Sequence, residues 1–195
     1  FHSSESSLPS HRPVLEITFR WASPTFLSNS PSWIDIQPKL GISDADSSID
    51  FMAQIRSERG TTINAATSWT TTSGSIDGSG RLSATQSGIV TIGADGAGVS
   101  GNQDVLIHPG APLGLAMANS EYFITVDDVT PIIAHGVDQH YNPVFGLTFI
   151  WSTSSGIIDS SGMYTPTEIG THTVAAQWGN HVAISNVTVD VGAAA

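Results

Sequence analysis

The sequence predicts an all-β chain of two tandem β-sandwiches preceded by a separate N-terminal β-strand segment, and three observations carry that expectation. The first is a repeat. Residues 69–88, WTTTSGSIDGSGRLSATQSG, return 82 residues later as WSTSSGIIDSSGMYTPTEIG, with half of the positions identical and no gap. Self-similarity at a fixed spacing marks a repeated structural unit. The second is period-two alternation of apolar and polar residues in short runs, with no window of helical period flanked by caps. The third is punctuation by Gly, Pro, Asn and Ser at the rhythm of a sandwich. A chain of 195 residues fits one domain or two on length alone. The repeat decides for two.

The elements follow in order. Residues 1–31 form an N-terminal segment in which Ser, Pro and His flank a single strand at 14–21. There Leu15, Ile17, Phe19 and Trp21 alternate with Glu16, Thr18 and Arg20, the mark of a half-buried strand. Ala22 to Pro31 reads as a linker. The first domain, 32–110, opens with Trp33-Ile-Asp-Ile-Gln, which Pro38 ends or places at an edge. Ser48 to Arg56 alternates again, Ser57-Glu-Arg-Gly60 turns the chain, and strands follow up to Trp69, at Arg81-Leu-Ser, from Gly88 and from Asp104. The second domain, 111–195, repeats the order: Leu113–Met117, Pro131–Val137, Leu147–Trp151, Gly162-Met-Tyr, Thr171–Gln177 and Ile184–Val191.

Within the repeated stretch the shared residues suit structural work. Trp69 and Trp151 close alternating runs, where a large ring fills the space between two sheets. Asp77 and Asp159 precede Gly80 and Gly162 by three residues, so each carboxylate can accept backbone N–H groups in an Asx-type turn while the glycine takes a positive φ. A metal or general-base role for these aspartates would need a second carboxylate or histidine at ligand spacing, and none stands beside them.

Charge and composition exclude several classes. There are 17 acidic residues against 6 basic ones, and Lys39 is the only lysine. Nothing resembles the basic stripe that neutralises phosphates, so nucleic acid is not an expected partner. No apolar run approaches the roughly 20 residues that span a bilayer. With no cysteine, disulfides, thiolate metal sites and a thiol nucleophile are all out of reach. The start, Phe1 to Glu5, lacks the basic and apolar parts of a secretion signal. Motifs for metalloprotease, serine-hydrolase and phosphate-loop chemistry are missing too, and no enzymatic activity is expected.

Four sets of residues remain as candidate sites. His135, Asp138 and His140 have metal-ligand types within one turn and could converge on a divalent cation; the other reading is a solvated turn. Asp44, Asp46, Asp127 and Asp128 occupy matching loops of the two repeats and are candidates for Ca²⁺, although they fall short of the six to eight oxygens it takes. Trp33 and Trp178 are candidate glycan platforms, the latter at a hairpin tip. Asn186-Val-Thr188 is an N-glycosylation sequon.

The second repeat as a whole resembles the bacterial immunoglobulin-like (Big) repeats of cell-surface proteins and adhesins. The resemblance rests on Ala134-His-Gly-Val-Asp-Gln-His-Tyr-Asn-Pro-Val144, Leu147-Thr-Phe-Ile-Trp-Ser, Gly156-Ile-Ile-Asp-Ser-Ser-Gly-Met-Tyr-Thr-Pro166 and Gly170-Thr-His-Thr-Val-Ala-Ala. The first repeat departs from it before Trp69, where Arg56-Ser-Glu-Arg-Gly-Thr-Thr stands in place of the Val-Asp-x-x-x-Asn-Pro turn and the register slips by one residue. The resemblance implies immunoglobulin-like sandwiches in an extracellular or cell-surface protein with a structural or adhesive, non-catalytic role. Other copies of the chain or other surface proteins would be its partners. Independently of that resemblance, the lone strand with Leu15, Ile17, Phe19 and Trp21 needs its backbone and apolar face covered: it folds back as an edge strand of the first repeat, belongs to a preceding domain, or is donated to a neighbouring copy, building a filament if the contacts do not close into a ring. An accessory glycan-binding module of a secreted enzyme and a virion structural protein are the alternative readings.

Overall fold

The computed structural model describes residues 27–192; the expected strand at 14–21, with Leu15, Ile17, Phe19 and Trp21, lies outside them. Every regular element among the described residues is a β-strand. The first set comprises β1 (Pro31–Gln37), β2 (Gly41–Asp44), β3 (Ser48–Asp50), β4 (Met52–Ser57), β5 (Thr62–Ile63), β6 (Ser68–Thr71), β7 (Ser75–Ile76), β8 (Arg81–Ser83), β9 (Gly88–Gly96) and β10 (Val99–His108). The second set repeats it as β11 (Gly114–Met117), β12 (Glu121–Thr125), β13 (Thr130–Pro131), β14 (Ala134–Val137), β15 (Pro143–Val144), β16 (Ile150–Thr153), β17 (Ile157–Ile158), β18 (Met163–Thr165), β19 (Gly170–Trp178) and β20 (His181–Asp190).

Each set makes an immunoglobulin-like sandwich. In the first, a four-stranded sheet of order β2-β10-β9-β6 faces a layer made of β1-β4-β5 and β3-β8-β7; in the second the corresponding orders are β12-β20-β19-β16, β11-β14-β15 and β13-β18-β17. The facing layer is continuous because β3 and β4 are one strand interrupted only at Phe51, whose N–H carries the β3–β8 register one step further by donating to Gly80 O at 2.9 Å. Ile132 does the same towards Gly162 O at 2.8 Å. Alternation decides which side chains go in. Along β9, Val90, Ile92 and Ala94 are buried while Ile89 points out, and along β20, Ala183, Ser185, Val187 and Val189 are buried. Each fully buried Val, Ile or Leu contributes about 1.5–3 kcal/mol relative to exposure, which is what holds the layers together.

The two cores are separate clusters. The first is built on Ile36, Phe51, Ile55, Leu82, Ile92 and Val105, the second on Ile132, Tyr164, Val174, Val187 and Val189. They fill equivalent positions with exchanged volumes. The aromatic residue sits at Phe51 in the first and at Tyr164 in the second; the smaller counterpart of Phe51 is Ile132, and that of Tyr164 is Leu82. Tyr164 can be buried because its hydroxyl donates to Ser155 O at 3.0 Å, so the polar tip is satisfied.

One expected element came out shorter than its run, and two strands had not been expected at all. The run from Leu147 becomes strand only at Ile150. Strands β2 and β12 pair in parallel with the last strand of their own domain, Ile107 with Ser43 and Val189 with Ile124. Neither run is long enough to alternate by itself, so only the distant partner defines it.

Candidate functional site at the joint between the sandwiches

The repeated corner is built from local bonds, as expected. Asp77 Oδ1 accepts from the Ser79 hydroxyl at 2.6 Å, the Ser79 N–H at 2.9 Å and the Arg81 N–H at 3.0 Å. Asp159 repeats this with Ser161 and Met163. The serine hydroxyl first, then the backbone N–H groups, hold both carboxyls below the usual carboxylate range. Gly80 and Gly162 take φ of 88° and 87°. A Cβ there would lie 2.9 Å from the Trp69 or Trp151 ring respectively, so the glycine lets the indole close the corner. Sites of this kind carry fold rather than chemistry.

The polar residues that reach between domains lie elsewhere, on the turn after β14. Asp138 N–H donates to Asn142 O at 3.1 Å and Tyr141 N–H to Asp138 O at 3.1 Å, closing a tight loop in which Tyr141 adopts φ 64°. The Asp138 side chain then turns inward, leaving the residue 3% exposed. Its Oδ1 accepts from the His140 N–H and the Asn142 N–H, both at 2.8 Å. Its Oδ2 accepts from the Asn142 side-chain amide at 2.7 Å and from the Gly110 N–H at 2.8 Å. Gly110 belongs to the segment that leaves the first sandwich, so the second domain grips its own tether.

Asn142, 7% exposed, completes the joint. Its Nδ2 donates to Thr85 O at 2.8 Å and its Oδ1 accepts from the Ser87 N–H at 2.8 Å. Thr85 and Ser87 lie in the β8–β9 loop of the first domain. A second clamp works in the opposite direction: Asp46, after β2, accepts from the Ala111 N–H at 3.1 Å and from the Gln139 amide at 2.8 Å, with His140 Nε2 3.9 Å away. Burial pushes the Asp138 carboxyl up, but the bonds from the Asn142 amide, Gly110, Asn142 and His140 outweigh it and leave the group below the usual carboxylate range.

The expected metal set is corrected by this geometry. All four lone-pair directions of the Asp138 carboxylate already meet N–H donors, whose positive ends repel a cation. His135 instead lies beside Phe145, ring centroids 5.9 Å apart, and no group of three His, Cys, Asp or Glu side chains among the described residues is placed to hold a metal ion. The acidic loops take turn and joint roles: Asp44 accepts from the Asp46 N–H at 3.0 Å and Asp128 from the Thr125 N–H at 2.6 Å. Trp33 is 44% exposed on β1, an edge of its sheet. Trp178 ends β19 at the hairpin tip, paired with His181, and their rings stack at 5.9 Å. Asn186 lies in β20 with its side chain exposed. Gln139 and Gly110 carry no signal in the sequence that singles them out, and Asn142 stands out only as the Asn of the Val-Asp-x-x-x-Asn-Pro turn.

No protein-family model matches the chain, and no curated protein matches it in sequence. Solved structures similar to it include domains 1–6 of surface layer protein SbsC, 17% identical with a TM-score of 0.37, over 83% of this chain and 27% of that one. Others are InvD of Yersinia pseudotuberculosis, 20% identical with a TM-score of 0.49, over 85% of this chain and 59% of that one, and the adhesin InvE of the same organism, 16% identical with a TM-score of 0.40, over 84% and 61%. The chain thus spans about a quarter of the SbsC structure and about three fifths of the two Yersinia ones.

Proposed function

We propose that the chain is a non-catalytic structural or adhesive part of an extracellular or cell-surface protein, in which two immunoglobulin-like domains divided at Gly110–Ala111 are held end to end in one orientation. The observation that carries this is the joint. Asn142, a buried polar side chain, bonds Thr85 and Ser87 across the domain boundary, and the buried Asp138 carboxylate takes one of its four bonds from Gly110; freely moving domains would leave those groups without fixed partners. The resemblance to Big repeats and the acidic surface agree with that setting. The test is the alignment of the two domains in solution, read from residual dipolar couplings: one shared tensor is expected, and two independent tensors would sink the reading.

The finer form of the proposal concerns the N-terminal segment. Residues 27–29 lie against the turn after β4, where the Arg59 guanidinium donates to Leu27 O at 2.6 Å and the Ser28 N–H to Glu58 at 2.7 Å. Leu15, Ile17, Phe19 and Trp21 precede that anchor, and their alternating apolar pattern suits donation of a strand to the sheet edge of a neighbouring copy. Light scattering and negative-stain microscopy of the full chain against a truncation beginning at Leu27 would decide. Filaments or oligomers formed only by the full chain support donation; two monomers of equal stability refute it. The glycan reading retains one favourable observation, the open Trp33 ring, and Trp33→Ala leaves any glycan binding unchanged if that reading is wrong.

A further inference from the structure

The joint is present twice in half. Asp46 follows Ala45, whose N–H donates to His108 O at 2.9 Å, and Asp127 follows Val126, whose N–H donates to Asp190 O at 3.0 Å. Two residues beyond each acceptor stands a glycine, Gly110 or Gly192, lying so close to its aspartate that an added Cβ would collide with the carboxylate of Asp46 or Asp127. In the first case the contact is part of the joint, since Asp46 goes on to bind Ala111 and Gln139 of the next domain. The loop that receives Asn142 is also repeated. Thr85, Ser87 and Gly88 correspond to Thr167, Ile169 and Gly170, and the two glycines share φ of 132° and 128°. Thr167 and Ile169 are exposed.

The opposite half of the joint is not repeated. Where the second domain has Asp138 and Asn142, the first has Ser57 and Thr61, in the same turn with Ser57 N–H donating to Thr61 O at 3.0 Å. These short hydroxyls bond each other at 2.7 Å, and Thr61 also reaches Asn29. They lack both the carboxylate and the amide that span the joint. The two ends of the described chain are therefore different in kind.

From this we propose that the C-terminal end of the second domain is a preformed seat for one further immunoglobulin-like domain of the second-domain type. Asp127 and the 167–169 backbone receive a leading turn that carries a carboxylate and an amide at the positions of Asp138 and Asn142. The seat selects against a domain with the Ser57–Thr61 turn, so head-to-tail stacking of the first domain onto it is disfavoured. This deepens the proposed structural role and rests on the rigidity of the existing joint.

The test appends a second copy of residues 111–192 directly after Gly192 of the full chain and reads residual dipolar couplings for each domain. The expected result is one alignment tensor shared by all three domains, with Asp127→Ala releasing only the third and Asp46→Ala weakening only the first joint. Asp127 is exposed, so its replacement leaves the second domain folded, which the dispersion of that domain's amide resonances checks. A third domain that keeps its own tensor while the first two share one overturns the seat. A third domain that aligns equally well with Asp127→Ala overturns the role given to Asp127 and with it the proposal. Independent tensors for the first two domains would overturn the rigid-joint reading itself, and the seat falls with it.

Discussion

Replacing Asn142 by alanine probes the joint at its most informative point. The substitution removes two bonds across the boundary, to Thr85 O and from the Ser87 N–H, and one within the turn, to Asp138 Oδ2. Net contributions of neutral hydrogen bonds cluster near 1 kcal/mol each, so the docked arrangement should lose about 2 kcal/mol relative to the undocked one. At about 1.4 kcal/mol per factor of ten, that is a roughly 30-fold shift in the docking equilibrium. The loss within the turn falls on the second domain's own stability, by about 1.5–3 kcal/mol because the acceptor is charged. Nitrogen-15 relaxation measures the first effect as separate rotational correlation times for the two domains, and denaturant unfolding measures the second. If the variant tumbles as one body and the midpoint for the second domain is unmoved, Asn142 is a bystander and the joint is held by something else.

Two more perturbations test the supporting structure. Asp138 has a folded pKa below its unfolded value, so its stabilisation is complete above the unfolded carboxylate pKa, near 3.9, and is lost as pH falls through the lower, folded value. Unfolding of the second domain followed from pH 7 to pH 2 should show an acid limb that flattens in Asp138→Asn, a variant also less stable at neutral pH because its amide would face N–H donors; an unchanged limb would remove Asp138 from the account. Gly162→Ala forces φ 87° on a residue with a side chain and puts its Cβ 2.5 Å from Ile132 O, a cost of about 2 kcal/mol or more. Thermal unfolding that shows no loss would mean the corner relaxes freely.

How far the sequence spoke depended on how far each residue reaches. The corner at Asp77 and Asp159 was readable because its partners lie within four residues, so spacing and residue type contain the whole structure. Asp138 was readable only as something polar in a turn. Its role is set by Gly110, and that of its partner Asn142 by Thr85 and Ser87, at separations of 28, 57 and 55 residues, where no local pattern distinguishes a metal ligand from a clamp. Asp46 failed for the same reason, since an acidic loop looks alike whether it meets a cation or the backbone of the next domain. The one-residue slip before Trp69 was visible as a misfit between repeats. Its meaning, a turn that carries hydroxyls in one domain and the carboxylate and amide of the joint in the other, needed the fold.

The exchange of bulk between Phe51 with Leu82 and Ile132 with Tyr164 also bears on how this chain avoids a hazard of tandem copies. Neighbouring domains of similar sequence risk trading strands as they fold. Were β7–β8 and β17–β18 to change places, one interior would have to hold the rings of Phe51 and Tyr164 together, and the other would be left with only Leu82 beside Ile132. Overfilling costs about 1–3 kcal/mol, and the gap left where leucine stands in for a tyrosine ring adds a further cost that grows with its volume. The mispaired chain is penalised on both sides at once. Two halves that read almost alike along their corners are thereby kept from mistaking each other for themselves.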